Sequence, residues 1–200
     1  MSHTVPLIYA SPALARWFWV SFAAWSLLEV WVWLREAGGT QGENRDRGSR
    51  LWVVLFVWAG ILAAFRLMWS VPSGAFRSHP QAIFFAGIAL MWLGVVLRGW
   101  AVMTLGRFFR TSVIIQGEHR IVMHGPYRYV RNPSYSGAVL TLLGMGLAMN
   151  NAYSVAAAVA GILIAYWRRI RVEQQALVEH FGEPYREYMR RTWALIPFAW

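Results

Sequence analysis

Two stretches of this sequence hold most of the side chains that can do chemistry. The first is the run 119–137, His-Arg-Ile-Val-Met-His-Gly-Pro-Tyr-Arg-Tyr-Val-Arg-Asn-Pro-Ser-Tyr-Ser-Gly. Gly125-Pro126 marks a turn. Pro133 pushes Asn132 out of helical geometry and suits the first position of the helix that follows. Amides at such a helix start can bind an anion, a carboxylate among them. The second stretch is the tail 168–200. Arg169 and Glu173 stand four residues apart there and share one helix face. Phe181-Gly182-Glu183-Pro184-Tyr185 then reads as a helix stop followed by an amphipathic restart that can lie along a membrane surface. Residue types alone leave a plainer reading open in both places. The arginines can snorkel to lipid headgroups, and the Arg169–Glu173 pair can be a surface salt bridge worth little.

Other chemistries lack their residues. There is no Cys, which excludes disulfides, thiolate nucleophiles and Cys-based zinc sites. All 19 basic residues are Arg, so there is no Schiff-base lysine. No glycine-rich loop follows a strand, which excludes Rossmann and P-loop phosphate sites. Gly144-Met145-Gly146 sits inside an apolar helix, where small residues permit close packing. His119 and His124 are five apart with only Glu118 near them, a spacing that does not fit a metal, and none is expected.

The elements that position these residues belong to a membrane. The chain of 200 residues is 58% apolar and only 14% charged, against about half and a quarter in soluble domains. Apolar runs at 14–34, 51–71 and 82–103 each reach the roughly 20 residues that cross a bilayer core. A fourth apolar stretch is broken at Asn150-Asn151 and reads as a tight helical hairpin, 133–149 and 152–167, whose second arm continues into the polar segment 168–180. The expected fold is therefore all-α: an integral membrane bundle of five transmembrane helices in one domain, 1–200, with helices 4 and 5 as a hairpin and a cytoplasmic amphipathic C-terminal segment. In this arrangement only Arg16, Arg66 and Arg77 fall on one side and the other arginines on the opposite side. That asymmetry puts the N-terminus outside and the C-terminus in the cytoplasm. It also accounts for the net charge of +10 without a nucleic-acid partner. The loop 36–50 carries no chemistry that can be identified.

Taken together, the two chemistry-bearing runs resemble the isoprenylcysteine carboxyl methyltransferase family of integral membrane enzymes and its phospholipid methyltransferase relatives. The resemblance rests on His119, Val122, Gly125, Tyr127, Arg131, Pro133, Tyr135 and Gly137, followed about 35 residues later by Glu173, Leu177, Phe181, Gly182, Tyr185 and Tyr188. It covers roughly 106–197. It implies an S-adenosylmethionine-dependent methyltransferase that releases S-adenosylhomocysteine, with 1–103 carrying the first three spans and 104–200 forming the cofactor-binding, catalytic half. By the resemblance the donor is lined by Gln116, His119, Arg120, Ile121, Val122, Gly125, Tyr127, Asn132, Pro133, Ser134, Tyr135 and Glu173. Arg169 is linked to the acceptor, and Arg131, Arg169 and Glu173 are the catalytic candidates. Two positions depart from the isoprenylcysteine enzymes: Asn132 replaces a His, and Gln174 replaces the second of two Glu. Many bacterial sequences of the family look this way, so a bacterial inner membrane is the expected location.

In such an enzyme the donor supplies its own leaving group, and the protein contributes positioning and electrostatics. Glu173 is expected to pair with the donor ammonium, and Arg131 or the helix-start amides with its carboxylate. The acceptor is expected to be a lipophilic small molecule or a lipid drawn from the bilayer. Isoprenylcysteine-type carboxylates, phospholipid amines and small thiols share the donor site and differ in the acceptor pocket. A reading of another class is a non-catalytic scaffold whose arginine-rich face binds lipid headgroups.

Overall fold

A computed structural model describes residues 5–37, 43–44, 48–106, 114–115 and 121–195. Among the expected site residues, Gln116, His119 and Arg120 lie outside these. Three helices, α1 (Pro12–Ala37), α2 (Ser49–Ser70) and α3 (Pro80–Leu105), match the first three expected spans, α2 ending one residue short of the expected limit at Val71. Each is long and apolar enough to cross a membrane, and among the described residues no other helix meets that measure. α4 (Pro133–Ala148) has 16 residues, about 24 Å of helix, and α5 (Ala152–Phe181) has 30, about 45 Å. α5 thus runs on as one helix through the polar segment that carries Arg169 and Glu173.

The turn between α4 and α5 is set by two asparagines. Asn150 adopts a left-handed conformation at φ 55°, which Asn tolerates better than most residues. The Asn151 side chain caps α5 by accepting the amides of Tyr153 and Ser154. The same two side chains donate to the carbonyls of Phe76 and Val71, which fastens this turn to the α2–α3 loop. At the other end Gly182 (φ 63°, ψ −132°) separates α5 from α6 (Glu183–Arg191), a backbone region nearly restricted to glycine. α6 turns Tyr185 and Tyr188 inward and its charged residues outward.

One feature was not foreseen from the sequence. Residues of β1 (Glu43–Asn44) pair antiparallel with β2 (Ile114–Ile115). The polar 36–50 loop is therefore tied to the connection between α3 and α4.

Packing inside the bundle is backbone against backbone. Lipid gives helices no hydrophobic reason to associate, so small residues that admit close contact decide the pairing. Gly87 and Gly94 of α3 face Gly144 and Gly137 of α4. A Cβ on Gly144 would lie 2.5 Å from the Gly87 carbonyl oxygen, and one on Gly137 would lie 2.7 Å from the Arg98 amide nitrogen. Gly60 and Gly161 bring α2 and α5 together in the same way, and Gly146 meets Val155 across the α4–α5 turn. Gly144→Val is therefore expected to force α3 and α4 apart and destabilise the protein by about 3 kcal/mol, the upper end for overpacking. Thermal unfolding in detergent checks this, and an unchanged midpoint would show that the two helices can separate freely.

α1 is held differently. Its Phe18, Trp19 and Phe22 rings pack on Phe65 of α2, and Trp92 of α3 donates to Ser21 at 3.1 Å. Beyond that aromatic cluster α1 and α2 part, leaving a cleft between them.

Candidate active site

The start of α4 is where the polar run 119–137 meets the rest of the molecule. Asn132 precedes Pro133 and does not cap the helix with its side chain. Its carbonyl accepts the amides of Tyr135 and Ser136, and its Nδ2 donates to the Ala194 carbonyl at 2.7 Å. Ser136 Oγ donates to the Leu195 carbonyl. Arg131 Nη1 donates to the carbonyls of Met189, at 2.8 Å, and Thr192. The backbones of Tyr129 and Arg131 also exchange hydrogen bonds with Trp193. Carbonyls at a helix C-terminus have no partner within the helix, and the Arg131 guanidinium supplies one for α6. The structure thus gives Arg131, Asn132 and Ser136 a shared task, seating the tail, that motif reading did not foresee. It places Arg131 Nη1 against tail carbonyls, where the sequence reading offered Arg131 or the helix-start amides to a ligand carboxylate, and the tail covers the α4 start from that side.

The chemical centre lies in the first turn of α4. The Tyr135 hydroxyl donates to Glu173 Oε2 at 2.7 Å and accepts from Arg169 Nε at 3.1 Å. Arg169 and Glu173, four apart on α5, are 3.9 Å from each other. The Arg169 side chain is 2% exposed and that of Glu173 is 26% exposed. The pair is therefore no ordinary surface salt bridge: the cation is sealed in the bundle and the carboxylate keeps an open edge. Tyr135 is itself fixed by stacking on Tyr166 at 4.4 Å.

Phenols gather around Glu173 on its polar side. Tyr127 is buried, donates to the Ala101 carbonyl at 3.3 Å, and accepts the Tyr188 hydroxyl on its own carbonyl at 2.7 Å. It lies in the short helical turn Gly125–Arg128, which Gly125 enters at φ 59°. Ile121 and Val122 lead into that turn half-buried. Burial, reinforced by the Glu173 charge, raises the proton affinity of Tyr127 and Tyr185, and burial pushes Tyr188 up to about 12. An unfolded chain ionises tyrosine near pH 10 while these three keep their protons, so the folded state binds more protons above that pH. Its stability then falls as pH rises past 10. A tyrosinate absorbance titration is expected to show a late-titrating fraction that shrinks in Tyr185→Phe and Tyr188→Phe; unchanged curves would count against the docked tail.

On its other side the centre meets the cleft between α1 and α2. The cleft encloses about 390 Å³. Its rim residues Val30, Trp33, Val54 and Trp58 are each about half exposed along helices read as membrane-spanning. Its floor carries Glu29, Arg98, Tyr135, Tyr166 and Arg169. Tyr135 and Arg169 therefore form the boundary between an apolar cleft on one side and Glu173 on the other. Arg98 reaches across the floor, with Nη2 2.7 Å from Glu29 Oε2 and Nη1 2.8 Å from Ser134 Oγ. Neither Glu29 nor Arg98 was singled out from sequence. The available signal was the single acid within the apolar run 14–34, a placement that is costly and seldom idle. Among the described residues no group of three or more potential metal ligands occurs.

Residues 82–184 match the model of the phospholipid methyltransferase family. A rice (Oryza sativa) relative, "Probable protein-S-isoprenylcysteine O-methyltransferase", is 30% identical over 118 residues, 58% of this chain and 62% of its own length. Protein-S-isoprenylcysteine O-methyltransferase B of Arabidopsis thaliana is 33% identical, covering 56% of this chain and 58% of its own. The chain thus spans about 60% of the length of these relatives. A solved structure described as the eukaryotic intramembrane Ras methyltransferase ICMT (isoprenylcysteine carboxyl methyltransferase) superposes with a TM-score of 0.58. The identity is 25%, over 72% of this chain and 52% of that one. These relatives are eukaryotic and lend no support to a bacterial inner membrane. The apolar helices and this neighbour make the chain an integral membrane protein. The family match runs from the beginning of α3 to the beginning of α6 and takes in Tyr135, Arg169 and Glu173. The chain belongs to the phospholipid methyltransferase family.

Proposed function

We propose that this protein transfers a methyl group from S-adenosylmethionine to a lipophilic acceptor that enters from within the membrane. The observation that carries the reading is Tyr135, bridging Glu173 and Arg169 at the floor of a cleft with an exposed apolar rim. The residues fit such a donor. Its ammonium group calls for a carboxylate with an open edge, and Glu173 has one, oriented by the Tyr135 hydroxyl. When bound, S-adenosylmethionine supplies an electrophilic methyl group on a sulfonium. Glu173 binds the ammonium group, Tyr135 holds Glu173 in place, and Arg169 orients the acceptor where cleft and donor site meet. Arg131 and Asn132 contribute by seating the tail over the α4 start. Ile121, Val122, Gly125, Tyr127, Pro133 and Ser134 shape the donor side. Gln116, His119 and Arg120 complete it in the family pattern.

Arg50, Arg98 and Arg169 line the cleft, and the Glu29 carboxylate among them is taken up by Arg98. The Arg169 guanidinium, where cleft and donor site meet, suits an anionic head such as the carboxyl group in the name of the solved isoprenylcysteine carboxyl methyltransferase. A carboxylate needs no base. Phospholipid amines and small thiols are the alternatives that an acceptor screen separates. In the membrane, α4 and the first half of α5 serve as spans four and five, with the N-terminus outside and the site cytoplasmic, as the arginine asymmetry favours.

The test is a calorimetric titration of the detergent-purified protein with S-adenosylmethionine and S-adenosylhomocysteine. Saturable one-to-one binding is expected, followed by methylation of an isoprenylcysteine-type carboxylate in the screen. A folded protein that binds neither ligand, and instead binds anionic vesicles in a salt-sensitive way, would overturn the enzyme reading in favour of a headgroup-binding scaffold.

A further inference from the structure

We infer that Glu29 and Arg98 form a positioning pair that sets Tyr135 against Glu173 and Arg169. The inference rests on the donor-site reading above and extends it to two residues outside the two polar runs, Glu29 on α1 and Arg98 on α3.

An ion pair inside an apolar segment is expensive to bury, and its members are retained where they hold something in place. Here the object held is identifiable. The first turn of α4 has no side-chain cap of its own. From one side it is held by the tail, through Asn132 and Ser136. From the other side it is held by Arg98, whose Nη1 donates to both Ser134 Oγ, at 2.8 Å, and the Ser134 carbonyl, at 3.2 Å. The next residue is Tyr135.

Arg98 can do this because its own backbone is locked against α4 one turn further on. A Cβ on Gly137 would lie 2.7 Å from the Arg98 nitrogen and 2.9 Å from its Cβ. The anchor is therefore rigid at its base, and only the direction of the guanidinium needs fixing. Glu29 fixes it from α1, its Oε2 2.7 Å from Arg98 Nη2 and its Oε1 2.7 Å from Nε. Without that carboxylate the guanidinium has the cleft to swing into, since both residues line it. Ser134 would then lose its donor, and the α4 start that carries Tyr135 would be held by the tail alone. A fixed Tyr135 matters because its single hydroxyl must satisfy Glu173 and Arg169 at once, and small displacements of positioning groups are costly in catalysis.

The experiment is a double-mutant cycle on the full-length protein in detergent. Glu29→Gln retains size and some hydrogen bonding, so folding is expected to survive. Glu29→Gln is expected to lower kcat at least tenfold with little change in acceptor KM. Combined with Tyr135→Phe, it is expected to be no worse than the poorer single variant, because Glu29 acts only through the Tyr135 hydroxyl that the second substitution removes. Ser154→Ala, at the far end of the bundle where Ser154 donates to the Ala64 carbonyl, serves as the control and is expected to combine additively. Additive behaviour of Glu29→Gln with Tyr135→Phe, or an unchanged kcat, overturns the pair. A donor-independent measurement accompanies it: amide hydrogen exchange across 134–138 is expected to speed up in Glu29→Gln, although Glu29 is on another helix. Unchanged exchange there overturns the pair even if wild-type protein binds no donor, an outcome that would sink the donor-site reading by itself.

Discussion

Glu173→Ala is expected to weaken S-adenosylmethionine binding about 100-fold, or about 2.8 kcal/mol, while leaving a folded protein. The size follows from removing a charge-assisted contact to the donor ammonium, near the top of the range for hydrogen bonds to charged groups. The protein survives because Glu173 keeps an open edge to solvent and is not a fully buried half of an ion pair. Its loss leaves Arg169 Nε on the Tyr135 hydroxyl. Glu173→Gln, which keeps the shape and loses the charge, is expected to fall between wild type and Glu173→Ala. Calorimetry against both donor and S-adenosylhomocysteine checks the series, with thermal unfolding beside it. Binding retained by Glu173→Ala would remove Glu173 from the donor site and, with it, the observation on which the proposed function stands.

The parts of this site that were legible in the sequence are those written in local spacing. Arg169 and Glu173 share a helix face because they are four apart, and Pro133 starts a helix because its ring suits that position. The apolar runs gave α1, α2 and α3 for the same reason, and the Asn150-Asn151 break gave the turn before α5. What stayed hidden depends on contacts between segments far apart in the chain. Glu29 and Arg98 are 69 residues apart and meet only because α1 folds onto α3. Arg131 looked like an anion binder because an arginine beside a helix start usually can be one. Its actual partners, the Met189 and Thr192 carbonyls, are about 60 residues downstream and belong to a tail whose path no local pattern gives. The pairing of 43–44 with 114–115 was invisible for a similar reason. Two residues per strand leave no alternation to read. The glycines illustrate both sides. Gly144 was read correctly as a packing residue from its apolar surroundings, whereas its partner Gly87 on α3 could not be named without the helices in place.

Arg169→Met is expected to reduce methyl transfer by at least about 100-fold, a loss of the size seen when one preorganised group that stabilises reacting charge is removed, with donor affinity within a few-fold of wild type. The separation of the two effects follows from where Arg169 sits. It lines the cleft, on the acceptor side of Tyr135, while Glu173 does not. The donor's ammonium contact is thus left standing when the guanidinium goes, and the acceptor loses the group that orients it. Met fills much of the volume without a charge, which spares the bundle the void that Ala would leave at a fully buried position. Arg169→Lys keeps the charge but presents a point ammonium in place of the fork that reaches Tyr135 through Nε, and is expected to recover little activity. Single-turnover methylation of the best acceptor from the screen, run beside calorimetric donor binding, separates the two terms. If Arg169→Met binds donor as poorly as Glu173→Ala does, Arg169 belongs to the donor site, and the boundary between donor and acceptor lies deeper in the cleft than Tyr135. If Arg169→Lys turns over at the wild-type rate, charge alone suffices there, and the guanidinium's geometry at Tyr135 serves the fold and not the reaction.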